Sequence, residues 1–380
     1  MASILDYVYW RGDLTINADH FNHVDAAILS QLVMLDFDKV VHKNHFAISI
    51  EDAFELYKKH HDVNKKIGLV INDKVGILFE AMALSKRYKN WQLSYYKHVY
   101  DNEKRIQFSA ITVQIKPGLS VIVYSGTDDT LSGWLEDLGM MYQEMPSCEL
   151  AYKYMMHVIK YHLDDIIIVG HSKGGALAIH STLNLESKLL QKKLLKTYCF
   201  DCPGMDFHLY QDKKYHSRWK KIISFIPEMA VIGQLFNHNE KQYVVKSKAD
   251  IVFQHDVFNW EVLGKDFLYE FGVSEESVYL RYKFHDLIDK MSVEDRIFLV
   301  DSLFKLFEIS NCRTLTDVSN NRKKVVSSIM KLSKEERAII NKHIIVGFFA
   351  DRKVDRIFMD LITKKRKFKL KDSKQYIDIK

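Results

Sequence analysis

Apolar residues recur every three or four positions over residues 15 to 60, where Val24, Ala27, Ile28, Leu32 and Leu35 share one helical face and Asn17 or Asp19 stands ready to cap it. Residues 75 to 88 repeat that period with Val75, Leu78, Ala81, Met82 and Leu84. The period then shortens to two. Phe108 to Ile115 alternates in its second half (Ile111, Val113, Ile115 against Thr112, Gln114), and Leu119 to Tyr124 forms a second, more apolar run. Lys116-Pro117-Gly118 between them places Pro and Gly where a type II turn needs them, so the pair predicts a β-hairpin.

Beyond the hairpin, strands and helices alternate. A helix near Ser147 to His162 carries Leu150, Tyr154, Val158 and Ile159 on one face. Strand 166–169 and its helix follow, then strand Thr197–Phe200, a polar loop Pro203–Lys220, strand Ile222–Ile226, and a hairpin near Gln242–Ser247 with Ile251–Phe253. Such alternation predicts an α/β protein with a mainly parallel central sheet. After Ser274 the pattern is helical throughout, with Ile297, Val300, Phe304 and Phe307 recurring and capping signals at Ser292-Val293-Glu294-Asp295 and Ser333-Lys334-Glu335-Glu336. The expected organisation is a core over 1–273 that includes the N-terminal helical segment, a helical extension over 274–363 packed on that core, and a basic tail over 364–380.

Composition narrows the class. Apolar residues make up 47% and charged residues 27% of the 380 positions, the balance of a globular protein, and four prolines with fifteen glycines leave no room for long linkers. Met1 to Trp10 lacks a basic n-region, and the longest strongly apolar run, Ile344 to Ala350, is too short to span a bilayer, so a cytoplasmic location is expected. Cys148, Cys199, Cys202 and Cys312 do not form a secreted disulfide framework, and Cys199-Phe200-Asp201-Cys202 reads as a buried, inert pair at the end of a strand. With no second pair at zinc-ligand spacing, neither a metal nor another cofactor is expected. The net charge of +6 is concentrated partly in Lys364 to Lys371. That run reads as a solvated end, with peripheral contact with anionic lipid as its alternative, and the mixed charges elsewhere argue against a nucleic-acid partner.

The candidate chemistry lies in Ile166-Ile167-Ile168-Val169-Gly170-His171-Ser172-Lys173-Gly174-Gly175-Ala176. A buried β-branched strand, the pattern G-x-S-x-G and a small-residue helix start succeed one another directly. That is the order of a nucleophile elbow, in which a sharp strand-to-helix turn exposes the serine hydroxyl. A serine needs a base to take its proton and the base needs an acid to orient it. Among 17 histidines, His255 follows the last strand-like segment, where a triad base belongs, whereas His171 lies inside the turn and is expected to point away from Ser172. For the acid, Glu228 ends the strand after the polar loop and is preferred. Asp250 near the hairpin is the rival, and Asp256 adjoins the histidine too closely. The oxyanion donors expected are the backbone N–H of Lys173 and Thr127, which offers backbone and hydroxyl in Tyr124-Ser125-Gly126-Thr127-Asp128. The Lys173 side chain reads as solvated.

Ser125-Gly126-Thr127, Trp134-Leu135-Glu136-Asp137 and Gly170-His171-Ser172-Lys173-Gly174-Gly175 together resemble the class 3 (fungal-type) lipases. Closer still is the resemblance to a bacterial, Mbeg-like branch of lipase-like α/β-hydrolases. It extends over roughly residues 4 to 310, through Asp6 to Leu14, the Gly-Thr-Asp-Asp turn, Pro203-Gly204 and Gln254-His255-Asp256. The resemblance implies an α/β-hydrolase fold with Ser172 as nucleophile and His255 as base. This chain has Ser125 where the lipases carry arginine, and their aspartate finds no clear match near Pro227-Glu228-Met229-Ala230. Two functions therefore stand as expectations. The first is a serine hydrolase cleaving carboxylic esters, lipid-derived ones included. The alternative is a hydrolase scaffold that has lost its acid and serves as a binding or regulatory module.

Overall fold

The computed structural model describes residues 2–68, 71–161, 164–205 and 213–343. Eight strands form one sheet in chain order: β1 (Ile48–Ser49), β2 (Gln92–Asp101), β3 (Ile106–Lys116), β4 (Leu119–Tyr124), β5 (Asp165–His171), β6 (Leu194–Phe200), β7 (Ile222–Pro227) and β8 (Lys241–Val245). Pairing is antiparallel from β1 to β4 and parallel from β4 to β8. Gly118 takes the positive φ of 82° that the turn between β3 and β4 requires.

The apolar character of β4 and β5 follows from burial on both faces. Side chains alternate across the sheet, so Val121, Val123, Ile167 and Val169 face one side and Ile122, Tyr124, Ile166 and Ile168 the other. The first set packs with α1 (Ile4–Arg11), α2 (His23–Leu32), α3 (Ile50–His60) and α4 (Val75–Leu84). The second packs with α6 (Pro146–Tyr161), through Ala151, Met155 and Val158, and with α7 (Lys173–Leu183), through Ala176 and Ile179. Between β4 and α6 lies α5 (Leu131–Gly139), whose Leu135 joins Met141 in a third cluster with Leu299, Val300 and Leu306 of helix Val293–Ile309. An Arg313 carbonyl accepts the Leu131 N–H at 2.9 Å and fastens the same junction.

Several sequence expectations are corrected. Asn22 rather than Asn17 or Asp19 caps α2, its side chain accepting from the Val24 and Asp25 amides. Strand β2 was not legible, because Gln92-Leu93-Ser94-Tyr95-Tyr96 does not alternate and the register breaks between Ser94 and Lys97, where Tyr95 adopts φ 55°. The expected hairpin at 242–253 is instead β8, parallel to β7, followed by a 3-10 turn over Ile251–His255. Ser292 and Ser333 do cap helices, accepting from the Asp295 and Glu336 amides. Residues 344–363 of the expected extension and the basic run Lys364–Lys371 lie outside the described residues. No described helix is long and apolar enough to cross a membrane.

Candidate active site

Strand β5 delivers the chain to Ser172, which adopts φ 55° and ψ −129° before α7 begins at Lys173. A non-glycine residue in that region stores roughly 1–3 kcal/mol of strain, held here by surrounding structure. The Ser172 N–H donates to the Phe200 carbonyl at 2.9 Å, pinning the turn to β6. The flanking glycines are steric necessities. A Cβ on Gly170 would stand 2.0 Å from the Gly174 carbonyl oxygen, and one on Gly174 would stand 2.3 Å from that of Tyr124.

His255 ends the 3-10 turn after β8, and its Nδ1 lies 2.6 Å from Oδ2 of Asp201. An ionised carboxylate accepts only, so the imidazole donates from Nδ1 and Nε2 is left as the proton acceptor. Asp201 sits one residue past β6 in the left-handed region, at φ 38°, and is 1% exposed. Its other oxygen accepts the Gly233 N–H at 2.9 Å, and its own N–H donates to the Phe225 carbonyl at 2.8 Å.

The carboxylate on His255 is thus Asp201, not the expected Glu228. Glu228 lies one residue past the end of β7, but its carboxyl lies among Glu270, Lys246, Gln254 and Glu261, and burial raises its pKa. Asp256 is engaged by the Asn72 amide at 2.5 Å and the Phe258 N–H at 3.0 Å. A signal for Asp201 was present in the sequence: a carboxylate at the C-terminal end of a parallel strand, followed by Pro203-Gly204. Cys199 and Cys202, close on either side of it, are buried, free thiols.

His171 turns its ring toward the base rather than toward Ser172. Its ring packs on that of His255 with centroids 4.5 Å apart, and its Nε2 donates to the His255 carbonyl at 2.8 Å. Burial, with His255 adding to the effect, pulls the His171 pKa down to about 3, so the ring is a neutral prop for the base. Because residues 171 and 172 are consecutive, this contact brings the imidazole of His255 to the elbow.

The Ser125-Gly126-Thr127 turn lies against the same elbow. A Cβ built on Gly126 would stand 2.9 Å from the His171 carbonyl oxygen and 3.4 Å from the Ser172 Cβ. The Thr127 hydroxyl donates to Asp137 Oδ2 at 2.5 Å, leaving the backbone N–H as its candidate donor toward a substrate oxygen. Lys173 occupies the first helical position of α7, where the backbone N–H has no intrahelical acceptor. Its side chain is 1% exposed rather than solvated: Nζ donates to the Gln107 carbonyl at 2.7 Å and to Glu136 Oε2 at 3.0 Å. Burial pushes the Asp137 carboxyl up to about 6, against the opposing pull of the Lys173 ammonium and the Thr127 hydroxyl. Among the described residues, no group of three or more His, Cys, Asp or Glu side chains is placed to hold a metal ion.

A mainly parallel sheet, helices on both faces and a strained serine between strand and helix define an α/β-hydrolase fold. Within that class the chain belongs to the Mbeg1-like family, whose model matches residues 82–305. Comparison with curated proteins finds no match. Similar solved structures include the Rhizomucor miehei lipase propeptide complex, 17% identical, covering 44% of this chain and 58% of that one at a TM-score of 0.32. This chain therefore spans less than two thirds of that lipase. The Penicillium expansum triacylglycerol lipase is 12% identical, with 48% and 75% covered and a TM-score of 0.30. Lip2 lipase of Yarrowia lipolytica is 11% identical, with 68% and 87% covered and a TM-score of 0.32.

Proposed function

We propose that the chain is a serine hydrolase acting on carboxylic esters, lipid-derived esters among them, with Ser172 as nucleophile, His255 as base and Asp201 as the orienting acid. The observation that carries this reading is the 2.6 Å contact between Asp201 and a histidine whose ring packs against the residue preceding Ser172. An imidazole held in this tautomer presents Nε2 as a base, which is what a neutral serine hydroxyl needs to become a nucleophile.

In the proposed cycle, Ser172 Oγ attacks the ester carbonyl carbon as its proton passes to His255 Nε2. Negative charge develops on the carbonyl oxygen and is met by the backbone N–H groups of Thr127 and Lys173. The carbon–oxygen bond to the alcohol then breaks, and the alcohol leaves with the proton from His255. Water, deprotonated by the same nitrogen, releases the carboxylic acid and restores Ser172. Asp201 orients and stabilises the imidazolium in both half-reactions.

The alternative of an inactive scaffold drew its support from a missing acid. Asp201 supplies one, so the enzyme reading is preferred. Hydrolysis of a short-chain nitrophenyl ester tests it: activity is expected in the full chain and lost in Ser172→Ala, with unchanged thermal unfolding. Equal turnover by the folded variant would overturn the assignment.

A further inference from the structure

Lys173 and Glu136 form a buried ion pair directly behind the elbow, with side chains 1% and 0% exposed. Burying two charges carries a desolvation penalty of several kcal/mol per ion, which mutual attraction offsets only with good geometry and further hydrogen bonds. An apolar residue of similar length would fill the same space without that penalty. What the charges add is direction. Nζ donates hydrogen bonds at two points, the Gln107 carbonyl and Glu136 Oε2, and lies 4.0 Å from Asp137 Oδ1. Glu136 is fixed in turn, accepting the Gln107 N–H at 3.1 Å and the Ser147 N–H at 2.8 Å. The Gln107 backbone N–H therefore donates to Glu136 while its carbonyl accepts from the Lys173 ammonium, which closes a ring of three residues.

That ring is attached to the peptide unit where strain is concentrated. Ser172 adopts φ 55° and ψ −129°, and relaxation of that ψ would rotate the Ser172–Lys173 peptide. The N–H of this peptide is one of the two proposed oxyanion donors. A lysine anchored at its far end resists the rotation. The second donor residue, Thr127, is tied to the neighbouring carboxylate, Asp137, through its hydroxyl. Consecutive acidic residues of one helix, α5, therefore hold the two donor-bearing residues, and Gln107 adds a third link through Nε2 to the Gly126 carbonyl at 3.5 Å.

We propose that Lys173 and Glu136 are positioning residues for catalysis: their buried ion pair fixes the Lys173 backbone N–H at the distance from Thr127 that a tetrahedral oxyanion requires. The proposal rests on the serine-hydrolase reading above. Neither side chain touches substrate. Both act through the backbone, with α5 as the common anchor.

The test uses the full chain and the double variant Lys173→Met/Glu136→Gln, which removes the two charges of the pair together, although the glutamine amide keeps an acceptor for only one of the Gln107 and Ser147 N–H groups and Asp137 loses the cation 4.0 Å away. The expected result is a folded protein whose kcat falls about ten- to a hundredfold, less than the roughly 10²–10³ lost on deleting an oxyanion donor outright, with KM nearly unchanged. Affinity for an alkylboronic acid, whose serine adduct is tetrahedral and anionic, should weaken by the same factor as kcat. Unchanged kcat, or a fall in kcat with boronate affinity intact, would overturn the positioning role. If the double variant does not fold, Glu136→Asp keeps the charge and shortens the arm by one methylene; it must lower kcat and boronate affinity in step, or the proposal is wrong. Failure of the underlying reading would look different, because the unaltered chain would then neither hydrolyse esters nor bind the boronate.

Discussion

Asp201 and His255, separated by 54 residues along the chain, meet at 2.6 Å where the end of β6, which pairs with the strand leading to Ser172, faces the turn after β8. The aspartate is fixed by the Gly233 amide and by its own N–H on β7, so its carboxylate is aimed before substrate arrives. A short, buried, pre-aimed acid selects one tautomer of the imidazole. That selection is the property an orienting residue must have.

The first prediction concerns this pair. Asp201→Asn keeps an acceptor for the Gly233 amide and tolerates the left-handed backbone, yet offers His255 the wrong partner. The expected fall in kcat is on the order of 10³–10⁴-fold, the scale seen when an orienting aspartate becomes an amide. Glu228→Gln should leave kcat nearly unchanged. Steady-state kinetics on the two variants decide between them, and the reverse order of damage would restore Glu228 as the acid.

His171 makes stability depend on pH in a defined direction. Its folded pKa, near 3, lies below the ordinary histidine value of 6.5, so between those values the unfolded chain binds a proton that the folded chain refuses. The contribution is complete above about 6.5 and is lost as pH falls toward 3, with a slope of about 1.4 kcal/mol per pH unit in the middle of that window. His171→Gln keeps an N–H donor and does not titrate there. Urea unfolding between about pH 4 and 5.5 should show a shallower slope in the variant by about one proton; identical slopes would contradict the assignment.

The elbow glycines give a steric prediction. Gly170→Ala drives a methyl to 2.0 Å from the Gly174 carbonyl oxygen, a backbone atom, with no flexible side chain to yield. A loss of upwards of about 3 kcal/mol, or failure to fold, is expected, in the range of the most damaging core changes. Thermal unfolding checks it, and a melting temperature unaffected by the change would contradict the steric role of Gly170.

Helix Val293–Ile309 buries Leu299, Val300 and Leu306 against Leu135 and Met141, next to the helix that carries Glu136 and Asp137. Ending the chain after Ser274 should expose that cluster and cause aggregation, and Leu299→Ala should destabilise by about 2–5 kcal/mol. Light scattering and chemical denaturation read these outcomes. A monodisperse, active protein ending at Ser274 would show that the C-terminal helices are dispensable to the core.

Much of this molecule was legible in the sequence where local rules decide. The strand-turn-glycine order around Ser172, the β3–β4 turn at Gly118 and the caps at Ser292 and Ser333 depend on neighbours within a few residues. The rest depends on pairing across the fold. β2 was hidden because its apolar residues sit beside a bulge at Tyr95. Asp201 was hidden because its partner is 54 residues away, and because two cysteines offered a nearer explanation of the same tetrapeptide. The burial of Lys173 follows from Glu136 and Gln107, which no periodicity connects to it.

Reaction with a fluorophosphonate tests the central claim most directly, because the reagent requires a serine that is already activated. The intact protein should take up one equivalent on Ser172, identified by mass spectrometry of the labelled peptide, with labelling abolished in Ser172→Ala and strongly slowed in His255→Ala and Asp201→Asn. A folded chain that stays unlabelled, or label that persists in Ser172→Ala, would contradict the account.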